Sequence, residues 1–232
     1  MSVDLPLILL SGMGADERLF RRQKEALPDL RLPGWIAPER GDDLPRYAQR
    51  LAASIDPGGP CFVGGASFGG MIALEMARHL DVRGCFLISS VRSSRELPLR
   101  ARMFKPLAMV LPPGSGGIPP LAARAALRVA GPFLSPVPYN LVRQLADADG
   151  RFLRWASMAL LRWRPHADSL AVPVHQIHGD RDHVLPHTLT LPDALIAGGG
   201  HLLPMTHADQ INDYLLERMD SNGSGTTPPR GR

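Results

Sequence analysis

Residues 65–69 read Gly-Ala-Ser-Phe-Gly. A serine hydroxyl is a weak nucleophile. It attacks a carbonyl only when a base takes its proton and its oxygen stands clear of the chain. A sharp turn from a strand into a helix exposes the oxygen, provided the residues two before and two after the serine are small. Gly65 and Gly69 meet that need, and Gly70 lets the following helix pack close. Residues 61–63 are apolar and strand-prone, and Met71, Ile72, Leu74 and Met76 recur at helical spacing. Ser67 therefore falls between a strand and a helix. The same glycines fail as a phosphate cradle. Gly70 and Met71 stand where a Walker loop needs Lys and Ser or Thr, and Glu17 stands at the third glycine of a dinucleotide fingerprint begun by Gly12 and Gly14.

A serine nucleophile needs a base, a group to orient the base, and donors for the developing oxyanion. In a parallel sheet such groups gather at the carboxyl ends of strands. The first apolar run ends in Ser11-Gly12-Met13-Gly14. Its glycines would let the Met13 amide turn toward the site and, with the Phe68 amide, hold a developing oxyanion; an ordinary glycine turn is the alternative. Residues 178–186, HGDRDHVLP, offer two carboxylates, Asp180 and Asp182. Residues 198–207, GGGHLLPMTH, offer His201 directly after three glycines, while His207 lies past a proline at a helix start and reads as a cap or surface residue. His79, His166, His175, His178, His183 and His187 have no comparable placement and read as structural or solvated.

The elements that must position these groups alternate. Strands are expected at 5–10, 30–36 (weakened by Pro33 and Gly34), 61–65, 84–90, 172–179 and 193–200. Helices are expected at 15–27, 43–55, 71–80, 149–163 and 207–219. In 149–163 the inward positions are read as Phe152, Trp155, Met158 or Ala159, and Leu161. Trp155 and Trp163 read as core. Near-continuous apolar strands between helices imply a parallel sheet covered on both faces. The alternation breaks between Val91 and Ala171, where prolines, arginines and apolar helical runs fill a stretch too long for a plain loop. Residues 92–146 read as an inserted helical lid, whose segments 107–111 and 121–134 would line an apolar acyl pocket. The core is then 1–91 with 147–220, and the Gly/Ser/Thr/Pro-rich residues 221–232 read as a disordered tail.

In chain order the candidates run Ser67, an aspartate, His201, the order of the α/β-hydrolases. The sequence resembles that superfamily over residues 5–219. LLSGMGADERLF looks like its oxyanion loop, with Ser11 in place of a frequent histidine. GGASFGG looks like its nucleophile elbow, and GGGHLLP like its histidine loop. IHGDRDHVLP resembles its acid loop, in which the carboxylate stands three after the glycine, and this match selects Asp182 over Asp180. The resemblance implies a three-layer fold. Its first strand corresponds to the family's third, so a minimal sheet of about six mostly parallel strands is expected. The short stretch between Asp182 and His201 leaves little or no helix there. It also implies a serine esterase or thioesterase acting on a small hydrophobic ester-type substrate, with no metal and no organic cofactor. Lyase, C–C hydrolase or perhydrolase chemistry with the same triad, and a non-catalytic binding protein on the same fold, are the alternatives.

Composition agrees with one large domain. The chain has 232 residues, a 44% hydrophobic fraction and a net charge of +4. The excess charge is mostly arginine and reads as solvated surface. Weak contact of the arginine-rich insertion with an anionic membrane is the sharper alternative. With 6% aromatics and no basic-aromatic block, nucleic acid is not an expected partner. A monomer or homodimer is expected. Cys61 and Cys85 each open a short apolar run and read as free thiols of a reducing compartment. The apolar run near the N-terminus lacks a basic lead, so a cytoplasmic location is expected.

Overall fold

The structure is a computed structural model; it describes residues 5–98, 144, 147–164 and 170–223. β1 (Leu7–Leu10) is followed by a 3₁₀ turn (Glu17–Phe20), α1 (Arg21–Ala26) and α2 (Leu44–Ile55). β2 (Cys61–Ala66) leads through Ser67 into α3 (Phe68–Met76), and then comes β3 (Val82–Ile88). A 3₁₀ turn (Ser94–Glu96) follows β3, and farther along the chain come α4 (Gly150–Arg162), β4 (Val174–Gly179), β5 (Ala194–Ile196), α5 (Leu203–Thr206) and α6 (Ala208–Gly223).

The five strands are parallel and stand in sequence order, β1-β2-β3-β4-β5. Successive side chains of a strand point to opposite faces, and here both faces are covered. Ile8, Leu10, Val63, Cys85 and Leu87 pack with α2, α3 and α4 on one face. Leu7, Leu9, Phe62, Phe86, Ile88, Ile177 and Ile196 pack with the 3₁₀ turn at Glu17–Phe20, α5 and α6 on the other. That arrangement makes the three layers and explains why β1 and β2 are buried at every residue.

The expected strand at 30–36 is not one. Only Arg31 pairs with β1, its N–H donating to the Leu7 carbonyl and its carbonyl accepting from Leu9 N–H. Pro33, which lacks an N–H, stops the ladder, so the sheet among the described residues has five strands rather than six. The link from Asp182 to His201 holds a single 3₁₀ turn (His187–Leu189). In α4 the inward residues are Phe152, Leu153, Ala156, Ala159 and Leu160, with Trp155 and Leu161 half-buried, so the apolar stripe sits one residue before Leu161. Trp163 is fully buried and donates to the Glu75 carboxylate at 2.7 Å, tying α4 to the elbow helix; Trp155 donates to the Asp42 carbonyl. Both cysteines are free and buried. α6 runs through Gly223, past the expected start of the tail. The remainder of the tail and nearly all of the expected lid lie outside the described residues. Among the described residues no helix is long and apolar enough to cross a membrane.

Candidate active site

Parallel order puts every strand's carboxyl end at one edge of the sheet. Ser67 follows β2 directly, Asp182 stands three residues past β4, and His201 stands five past β5. Each lies at the end of a different strand, and the structure brings the three together. Ser67 Oγ is 3.0 Å from His201 Nε2, and His201 Nδ1 is 2.8 Å from Asp182 Oδ2.

The elbow is strained where the hydroxyl is presented. Ser67 sits at φ 53° and ψ −119°, outside the regions a side-chain-bearing residue ordinarily adopts, at a cost on the order of 1–3 kcal/mol. The surroundings hold it there. Ser67 N–H donates to the Ile88 carbonyl at 3.0 Å, and the Ser67 carbonyl accepts from Ser90 Oγ at 2.6 Å and Gly70 N–H at 3.1 Å. Gly65 and Gly69 face each other across the turn. A Cβ on Gly65 would lie 2.6 Å from the Gly69 carbonyl oxygen, and one on Gly69 would collide with the Leu10 and Ser11 carbonyls.

The acid loop has its own anchor. Asp182 is 2% exposed and its Oδ1 accepts from Val184 N–H and Leu185 N–H, each at 2.9 Å. That leaves Oδ2 for the imidazole. Burial pushes the Asp182 pKa up, but the charge and hydrogen bond of His201 and the Leu185 amide together outweigh burial. The net result holds the carboxyl below its ordinary range, ionised at neutral pH. A carboxylate against Nδ1 requires the proton on Nδ1, so Nε2 presents its lone pair to the serine hydroxyl. Asp180 faces away from this chain of contacts: its Oδ1 accepts from Gly198 N–H on an exposed part of the loop.

The Met13 turn stands against Ser67. A Cβ on Gly12 would lie 3.7 Å from Ser67 Cβ. Gly14 takes φ 76°, Ala15 N–H closes the turn on the Gly12 carbonyl, and Ser11 Oγ donates to the Ala15 carbonyl. Ser11, standing where the family often has histidine, thus braces the turn. Ser157 Oγ lies 3.5 Å from Met13 Sδ. Phe68 is the first residue of α3, a position whose N–H has no partner within the helix.

Ser90 and Gln176, which the sequence reading left out, support the site together with His178, which it read as structural or solvated. Ser90 clamps the elbow as described. Its own carbonyl accepts from Gln176 Nε2 and His178 Nε2, each at 2.8 Å, and both are fully buried. Burial pushes the His178 pKa down, so the ring is neutral and is a structural donor. Serine at the end of the strand beside the one that leads into Ser67 is the sequence signal for Ser90. Gln176 and His178 bond to a backbone carbonyl, which has no sequence signature. His207 lies outside the site, next to Thr206 at the start of α6. Among the described residues no group of three or more His, Cys, Asp or Glu gathers as a metal site.

A sequence model described as the alpha/beta hydrolase family matches residues 3–214. The chain belongs to the α/β-hydrolase family. Solved structures agree on the fold. An esterase from Thermogutta terrifontis, solved with malate bound, superposes with a TM-score of 0.73 at 19% identity, over 97% of this chain and 92% of that one. MenH from S. aureus gives 0.71 at 14% identity, over 96% of each chain. The N-acyl homoserine lactonase AidH, solved in complex with N-butanoyl homoserine, gives 0.68 at 17% identity, over 97% of this chain and 92% of that one. No curated protein matches the sequence significantly.

Proposed function

We propose that this α/β-hydrolase is a serine hydrolase that cleaves an ester or thioester of a small hydrophobic acyl group through an acyl-enzyme. The observation that carries the reading is the unbroken chain Ser67 Oγ, His201 Nε2, His201 Nδ1, Asp182 Oδ2 at hydrogen-bond distances. In the first half-reaction Ser67 Oγ forms a bond to the substrate carbonyl carbon while its proton passes to His201 Nε2. Asp182 stays ionised and stabilises the imidazolium. The carbonyl oxygen takes the negative charge and accepts from the Met13 and Phe68 amides, with the N-terminus of α3 adding its dipole. The intermediate collapses as His201 hands the proton to the leaving oxygen or sulfur. In the second half-reaction water replaces the alcohol or thiol: His201 takes its proton, the acyl group leaves as the acid, and Ser67 regains its hydrogen. A lactone is an internal ester and falls under the same chemistry.

The test is labelling with a fluorophosphonate probe, followed by hydrolysis of p-nitrophenyl esters of increasing chain length. Both signals are expected in the parent protein and absent in Ser67→Ala. Labelling that persists in Ser67→Ala overturns the assignment of the nucleophile. Labelling without ester turnover points instead to lyase or C–C hydrolase chemistry on the same triad.

A further inference from the structure

Among the described residues, the non-glycine residues with positive φ are Ser67, at 53°, and Ser89, at 45°. Each stands one residue past the end of a strand, and the two strands, β2 and β3, are neighbours. Such backbone is strained for a residue that carries a side chain. At Ser67 it presents the hydroxyl to His201. At Ser89 the side chain gives no such reason, because its Oγ is buried without a partner among the described residues. The turn at Ser89 instead returns the next residue toward β2. Ser90 Oγ donates to the Ser67 carbonyl at 2.6 Å.

Ser90 is held firmly in that place. Ser89 N–H donates to the Ile177 carbonyl at 2.9 Å. The Ser90 carbonyl accepts from Gln176 Nε2 and His178 Nε2. Gln176 is oriented in turn by Arg92, whose Nε donates to Gln176 Oε1 at 2.9 Å, so the NH₂ end of the amide faces Ser90. On the opposite side a Cβ on Gly70 would lie 2.5 Å from Ser90 Oγ and 2.6 Å from its Cβ. Glycine at 70 thus leaves the Ser90 side chain its space.

The Ser67 carbonyl is one half of a planar peptide whose other half is the Phe68 N–H. In a trans peptide the two bonds point in opposite directions, so whatever fixes one fixes the other. The carbonyl accepts from two donors, Ser90 Oγ and Gly70 N–H. Gly70 belongs to α3 and moves with the elbow, whereas Ser90 comes from the end of β3 and ties the peptide plane to the sheet. Donation to a carbonyl also polarises its amide and strengthens the N–H as a donor. A donor that must meet charge appearing only in the transition state is most effective when its direction is set beforehand.

We propose that Ser90 is a positioning residue for the oxyanion hole: its hydroxyl orients and polarises the Ser67–Phe68 peptide, so that the Phe68 N–H is aimed before substrate arrives. The catalytic half of this proposal rests on the serine-hydrolase reading; the coupling of Ser90 to the Phe68 amide does not.

The experiment compares p-nitrophenyl hexanoate with its thiono analogue, in which sulfur replaces the carbonyl oxygen. Sulfur is a weak acceptor, so the thionoester draws little from an oxyanion hole. Ser90→Ala leaves the Ser67 carbonyl its Gly70 N–H and orphans no acceptor there, and its melting temperature reports that it has folded. Loss of an oxyanion donor costs about 10²–10³-fold, and here the donor is misaimed rather than removed, so kcat/KM for the ester is expected to fall about 10–100-fold. The thionoester is expected to fall about threefold or less, because it makes little use of the donor. Ser90→Cys keeps a weak donor in a similar volume, should show a smaller drop in the ester-to-thionoester ratio, and carries the comparison if Ser90→Ala does not fold. Equal losses for the two substrates, the result of a purely structural support, overturn the proposal. So does an ester rate unchanged in a folded variant. A second readout needs no turnover: the amide ¹⁵N resonance of Phe68, which responds to hydrogen bonding at the preceding carbonyl. It is expected to move in Ser90→Ala while the resonances of α6 stay in place, and a Phe68 resonance that stays in place overturns the coupling. A parent protein that neither hydrolyses esters nor takes the fluorophosphonate, but whose Phe68 resonance moves in Ser90→Ala, retains the coupling and overturns the hydrolase reading.

Discussion

Asp182→Asn tests whether the acid sets the tautomer of His201. The introduced amide has one acceptor and one donor end, and the site decides which goes where. Val184 and Leu185 both aim N–H groups at Oδ1 from 2.9 Å. The amide oxygen must take that position, because turning it round would leave two buried donors facing an NH₂. Each unsatisfied donor costs about 1–3 kcal/mol, so the reversed orientation is about 2–6 kcal/mol less stable. The NH₂ then points at His201 Nδ1, which must accept. The imidazole proton moves to Nε2, the atom 3.0 Å from Ser67 Oγ, and a ring nitrogen that carries a proton cannot take one from the serine. A loss of about 10⁴ in kcat is expected from the wrong tautomer. The substitution is nearly isosteric and keeps both backbone bonds, so the fold should persist. The assay is steady-state hydrolysis of a p-nitrophenyl ester, with thermal unfolding on the same sample. A variant that is folded and within about tenfold of the parent kcat would show that the backbone donors do not dictate the amide's orientation, or that Asp182 is not the orienting group.

Gly69→Ala should damage both fold and activity. Its Cβ would meet the Leu10 and Ser11 carbonyls and lie 2.7 Å from the Leu10 carbonyl carbon, all rigid backbone. Overpacking of that kind costs about 1–3 kcal/mol or more, and a shift of the elbow by about 1 Å costs on the order of 100-fold in rate. Urea unfolding with an unchanged midpoint would contradict the close approach. The thiols give a third test. Burial pushes Cys61 up to about 11 and Cys85 up to about 12, so neither is a thiolate at pH 8 when folded. A disulfide-exchange reagent should find no reactive thiol in the native protein and two after denaturation. Because the unfolded chain releases these protons near pH 8.5 and the folded chain holds them, stability should fall as pH rises from about 8.5 toward those values. Labelling of the native protein at the rate of a free thiol would refute the burial.

The parts of the fold that were legible were those with a period. Buried strands read as apolar runs, and the helices expected at 43–55 and 207–219 are α2 and α6. The stretch at 30–36 misled because Leu30, Leu32, Trp35 and Ile36 look strand-like one by one, and Leu30 is indeed core. Pairing, however, needs N–H groups in register, and Pro33 ends it after a single residue. The apolar positions of that stretch serve packing instead, with Trp35 stacked on Phe152. Periodicity reports burial, whereas ladder formation depends on backbone donors that residue type records only at proline.

The acid loop shows where residue type stops being informative within the site. Asp180 and Asp182 share a side chain, a loop and an alternation of position, and chemistry alone leaves them equivalent. The structure separates them by which backbone amides each meets. Asp180 takes Gly198 N–H and ties the two loops together from the exposed side. Asp182 takes Val184 and Leu185 N–H with one oxygen, which buries it and spares the other for His201. The same logic covers Gln176 and His178, which reach the elbow only through the Ser90 carbonyl and Ser90 Oγ. Each decisive contact is to main chain, and every residue offers the same main-chain groups. Such contacts become visible only once topology has put β2, β3 and β4 side by side. Ser67, Asp182 and His201 could be singled out from sequence because they meet side chain to side chain. The parts of Gln176 and His178 could not, because both bond to a backbone carbonyl.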